Sequence, residues 1–127
     1  MRKIVIETNS VSVEAQLYDT PSAEAVAKAL PVSGTANRWG QEIYFSIGLT
    51  VDVDSSEVAE SMPVGSLAYW PPGQAFCILF GATPASGQDG TPTLASAGAH
   101  IGEVSADARV FDQVQAGETV TVRPASE

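Results

Sequence analysis

Apolar and polar side chains alternate from the start of the chain. Ile4 and Ile6 stand between Lys3, Val5 and Glu7, and after Thr8-Asn9-Ser10 the alternation resumes with Val11, Val13, Ala15 and Leu17 against Ser12, Glu14 and Gln16. A period of two on both sides of a short polar turn predicts a hairpin. The period then changes: Ala23, Val26, Ala27 and Leu30 recur at helical spacing, Thr20 is placed to cap the first turn, and Pro31 ends it, so a helix is predicted over residues 21–30. Residues 31–37 read as a short irregular polar connection. A strand is expected from Glu42 onward, with Ile43, Phe45 and Ile47 on one face and Glu42 and Tyr44 on the other.

Asp54, with Glu57 three residues later, has the spacing of a capping arrangement and predicts one helical turn before Met62-Pro63. Residues 66–70 and 75–80 are apolar and rich in aromatic or branched side chains; Pro71-Pro72-Gly73-Gln74 between them predicts a tight turn, with Pro presetting φ and Gly73 supplying a positive φ. The continuous apolar run 75–80 predicts a strand buried on both faces, as under an external helix. Residues 82–99, dominated by Gly, Ala, Ser, Thr and Pro, read as one long surface loop. A short strand over 101–104, a short helix over 106–114 and a closing strand over 118–123 complete the pattern. The elements are β-dominated, and the whole chain 1–127 reads as one domain.

Composition supports a folded domain: 127 residues, 44% apolar, 17% charged, with eleven glycines and eight prolines spread along the chain. The net charge of −9 repels phosphate backbones and anionic lipid alike, so neither nucleic acid nor membrane is an expected partner. Met1-Arg2-Lys3 is followed by only three apolar residues before Glu7, too few for a signal-peptide core, and Cys77 is a single cysteine; a cytoplasmic location is the expectation. Cys77 lies in the apolar run and reads as a small buried hydrophobe.

Candidate chemistry is sparse. Asp52-Val53-Asp54-Ser55-Ser56-Glu57 begins like a calcium loop, but the glycine of its sixth position and the glutamate of its twelfth are Glu57 and Pro63, so a solvated acidic turn is the better reading. With one histidine, His100, no zinc set is recognisable, and no glycine-rich phosphate cradle or nucleophile elbow is present. No metal and no cofactor is expected. His100 is a candidate general base through its near-neutral ordinary pKa. The aromatic residues concentrate in two segments, Trp39 to Phe45 and Tyr69 to Phe80. Trp and Tyr favour the places where an apolar wall meets a polar rim, and pockets form there too.

Three blocks in order, Trp39-Gly40-Gln41-Glu42-Ile43-Tyr44-Phe45, then Gly65 to Gly73, then Phe80-Gly81-Ala82-Thr83-Pro84, resemble a prokaryotic family of unknown function with a cyclophilin-like fold. The C-terminal stretch from His100 to Val104, and then Gly117 to Val122, resembles the way true cyclophilins end. The resemblance covers nearly the whole chain. It implies a mostly β fold: a closed or nearly closed antiparallel cyclophilin-like β-barrel with two short flanking helices. True cyclophilins are prolyl isomerases whose active face carries Phe-His-Arg and Gln-Gly-Gly blocks; neither occurs here, and neither Arg38 nor Arg109 stands where their arginine does. The fold carries over and the activity does not.

The reading is a binding module for a small molecule or short peptide. The alternatives are a prolyl isomerase with a rebuilt site, or a regulatory or structural subunit of a larger assembly, with homo-oligomerisation compatible with each. Site candidates are Arg38, Trp39, Glu42, Tyr44, Tyr69 and Trp70, with Thr83 and His100 further out. Glu42 beside aromatic groups is expected to be desolvated, which raises a carboxyl pKa. The competing reading has Trp39 and Tyr44 filling the barrel end while Glu42 pairs with Arg38 or caps backbone amides.

Overall fold

The computed structural model describes residues 1–125. Ten strands form one antiparallel sheet: β1 (Arg2–Glu7), β2 (Ser12–Leu17), β3 (Val32–Thr35), β4 (Asn37–Arg38), β5 (Glu42–Ser46), β6 (Val58–Ser61), β7 (Ser66–Trp70), β8 (Ala75–Leu79), β9 (Thr93–Val104) and β10 (Thr119–Pro124). Their order is β3-β10-β1-β2-β9-β7-β8-β5-β4, with β6 added on β9. The two end strands, β3 and β4, follow each other in the chain with only Ala36 between them. The sheet therefore curls until β3 meets β5, where a Cβ on Gly34 would lie 2.7 Å from the Phe45 ring. The result is a barrel that is nearly closed without a continuous ladder. Among the described residues no helix is long and apolar enough to cross a membrane.

The predicted hairpin is β1–β2, in register from Arg2↔Leu17 to Glu7↔Ser12. The predicted helix is α1 (Pro21–Ala29), whose Thr20 hydroxyl accepts from the Ala23 N–H. Its buried side includes Ala23 and Val26. Asp54 and Glu57 form the expected capping box over a 3₁₀ turn, Ser55–Glu57, and Glu57 also accepts from the Ser22 N–H and hydroxyl, both at 3.0 Å. One carboxylate thus ties that turn to the N-terminus of α1.

Four expectations need correction. Residues 31–37 are not an irregular connection but hold β3 and the start of β4; Gly34 weakens the strand signal, yet only glycine fits against Phe45. Residues 93–99 of the predicted surface loop are the first half of β9, which runs twelve residues without a break. Their Ala, Ser and Gly content has low strand propensity, but small side chains are what close strand crossings admit: a Cβ on Gly98 would lie 2.7 Å from the Tyr69 carbonyl oxygen. In the β7–β8 turn, Gln74 and not Gly73 has the positive φ, while Gly73 leaves room for the Trp70 ring, 3.1 Å from where its Cβ would sit. The second short helix is found where expected, as a 3₁₀ helix, Ala108–Gln113. Finally, β8 is buried on both faces as expected, but among the described residues its outside is covered by Met62 and Leu94 and not by a helix.

Alternation divides the sheet into two cores. The inner face packs the barrel interior, with Ile43, Phe45, Leu67, Tyr69, Phe76 and Ile78 among its members. On the outside, Ala68, Ala75, Cys77 and Leu79 make a smaller cluster covered by Met62 and Leu94. This outer cluster positions the candidate site.

Candidate functional site

β4 and β5 are joined by Gly40-Gln41, with Trp39 and Glu42 exchanging backbone hydrogen bonds of 3.0 and 3.2 Å. Gly40, at φ +61°, takes the first turn position, which suits a type II′ hairpin turn and excludes most side chains. Its missing side chain is used by the protein itself, since a Cβ there would lie 2.9 Å from Pro84. The Ala82–Pro84 segment is thereby held against the turn, helped by the Gln41 side chain accepting from the Ala82 N–H.

Beside this turn, on the outer face, lies a pocket of about 240 Å³ lined by Trp39, Glu42, Tyr44, Trp70, Leu94 and Ala95. Glu42 and Tyr44 project there together because both are opposite in phase to Ile43 and Phe45. Trp70 comes from β7 in the same way, and its indole N–H donates to the Ser96 hydroxyl at 2.9 Å, fixing the ring. Leu94 and Ala95 enter from the start of β9, within the segment whose composition reads as loop. Leu94 was the one bulky residue in that stretch of small ones, and it was the only available signal.

Glu42 is 4% exposed, and its Oε1 has no hydrogen-bond partner among the described residues. Burial raises its pKa to about 7, with the neighbouring Cys77 thiol, a weak donor, pulling slightly the other way. Burial, and secondarily the Glu42 carboxylate, push the Cys77 thiol well above its ordinary value, so it is no nucleophile. A carboxyl near neutrality can accept a hydrogen bond when ionised and donate one when protonated.

The structure brings Trp39, Glu42, Tyr44 and Trp70 together and places the other four candidates elsewhere. Arg38 and Tyr69 each precede a pocket residue by one position, and strand alternation sends them the other way. The Arg38 guanidinium lies 5.0 Å above the Phe80 ring and donates to the carbonyls of Gly40, Asp112 and Val114, clamping the C-terminal 3₁₀ helix to the barrel end. It does not pair with Glu42. Tyr69 is 1% exposed, and its hydroxyl donates to Leu49 O and accepts from Val51 N, holding residues 49–51 across the barrel. Thr83 is buried, its hydroxyl donating to Thr93 O and accepting from Ala85 N, so it shapes the loop leading to Leu94 from behind. His100, at the other end of β9, stacks edge-on with Tyr18 at 5.2 Å; burial lowers its pKa, and the Tyr18 hydroxyl donates to Glu103. Among the described residues no group of three His, Cys, Asp or Glu side chains could hold a metal.

A family model described as cyclophilin-like matches residues 2–123. A hypothetical protein from Archaeoglobus fulgidus, known from its solution structure, is 35% identical over 98% of this chain and 95% of its own, with a TM-score of 0.81. No curated protein matches.

Proposed function

Given that the chain belongs to the cyclophilin-like family and lacks the Phe-His-Arg and Gln-Gly-Gly blocks of the isomerases, we propose that it is a binding module whose outer-face pocket takes a small molecule or a side chain of a short peptide. One observation carries this reading: the unpartnered Oε1 of Glu42, buried in the wall of a pocket lined by Trp39, Tyr44 and Trp70. Leaving a buried acceptor without a donor costs about 1–3 kcal/mol, a cost that a scaffold carboxyl avoids by pairing. Arg38, the cation nearest in sequence, is committed to the barrel end. A donor brought by a ligand would complete the site.

The test uses the two tryptophans of the chain, both of which line the pocket, so fluorescence reports on it directly. A panel of small aliphatic and aromatic compounds and of tri- and tetrapeptides is titrated into wild type, Glu42→Gln and Tyr44→Phe, with thermal melts in parallel. The expected outcome is that Glu42→Gln weakens binding about tenfold while the protein stays folded. Variants that melt several degrees lower yet bind with unchanged affinity would make these residues scaffold and move the site elsewhere.

A further inference from the structure

Resting on the reading of this pocket as a binding site, we infer that the group it takes is a protonated amine that keeps at least one N–H, borne on an alkyl chain or a lysine-like side chain. The lining residues include one carboxyl, Glu42, and no lysine or arginine. A counter-ion for that carboxylate has to arrive with the ligand. An ammonium N–H supplies the donor that Oε1 lacks, in a charge-assisted bond stronger than a neutral one. Trp39, Tyr44 and Trp70 surround the same space, and aromatic rings attract an alkylammonium more than they attract water. Leu94 and Ala95 offer apolar contact to the alkyl part. The net charge of −9 disfavours an anionic ligand and draws cations. Ionised Glu42 is the competent form, so a protonated Glu42 gives its proton to solvent as the ammonium enters.

n-Butylammonium chloride and 1-butanol, similar in shape and different in charge, are the probes, with sodium chloride as the ionic-strength control. Each is titrated against tryptophan fluorescence at pH 8 and at pH 5.5, in wild type and Glu42→Gln. At pH 8 wild type is expected to bind butylammonium about tenfold more tightly than butanol, with the preference shrinking at pH 5.5 and absent in Glu42→Gln. If Glu42→Gln fails to fold, the pH dependence of wild type decides by itself. Butanol binding as tightly as butylammonium, with no change at pH 5.5, overturns the amine while the pocket stands as a binding site. A butylammonium response that sodium chloride reproduces, or that persists in Glu42→Gln, overturns the amine as well. Silence to both probes does the same, and the pocket is then judged by the peptide and compound panel alone.

Discussion

At pH 7 the Glu42 carboxyl stands near the midpoint of its titration, its pKa raised by burial from 4.5 to about 7. A folded-state pKa above the unfolded one means the native protein holds its proton more tightly. Stability is therefore greatest below about pH 4.5 as far as this group is concerned, and it falls as pH rises through 7, where an uncompensated charge becomes buried. The difference amounts to about 3 kcal/mol. Denaturant melts of wild type and Glu42→Gln at pH 5 and pH 8 should show wild type losing most of that amount relative to the variant. Parallel pH profiles for the two proteins would show that the carboxyl is solvated. Strand alternation also divides the site candidates, four of which line the pocket. Trp39 and Trp70 were legible as rim residues, but their neighbours Arg38 and Tyr69 could not share the pocket, because adjacent strand residues face opposite ways.

Among the elements, β9 departs furthest from its sequence. Thr93 to Val104 crosses β2, β6 and β7, and its small residues are read locally as loop because propensity sees only the side chain and not what approaches it. Gly98 shows the cost of a larger residue: its Cβ would lie 2.7 Å from Tyr69 O and 3.0 Å from Leu94 Cδ1. Gly98→Ala should therefore destabilise by about 2 kcal/mol, lowering Tm by roughly 5–10 °C, and it should shift Leu94 in the pocket wall. Gly87→Ala, where a Cβ meets only the Asp89 carboxylate at 4.0 Å, is the control and should melt like wild type. Equal melting temperatures for the two variants would show that β9 is not tightly seated.

At the scale of the whole molecule, a barrel that sequesters its inner core is left with a second, smaller core outside, and the pocket opens in its cover. The pocket supplies a carboxyl and aromatic walls, whereas lowering the barrier to prolyl rotation calls for a donor to the proline nitrogen or carbonyl. The guanidinium nearest in sequence, Arg38, spends its donors on Gly40, Asp112 and Val114. The protein should leave the cis/trans exchange of a standard proline tetrapeptide at its background rate. Acceleration abolished by Glu42→Gln would overturn this and assign the pocket a catalytic role.

The chain by itself determined the β1–β2 hairpin, the helix with its Thr20 cap, the Asp54–Glu57 capping box and the strand that puts Glu42 beside Tyr44. Each of these rests on interactions within a few residues, so periodicity and cap chemistry specify it locally. Only the tertiary structure decided that β3 and β9 are strands, that Arg38, Tyr69, Thr83 and His100 lie outside the pocket, and that Leu94 and Ala95 complete it. These depend on which backbone lies against Gly34 and Gly98, and on which of two faces a barrel turns inward. Both are set by contacts between residues far apart in sequence, which no local pattern records.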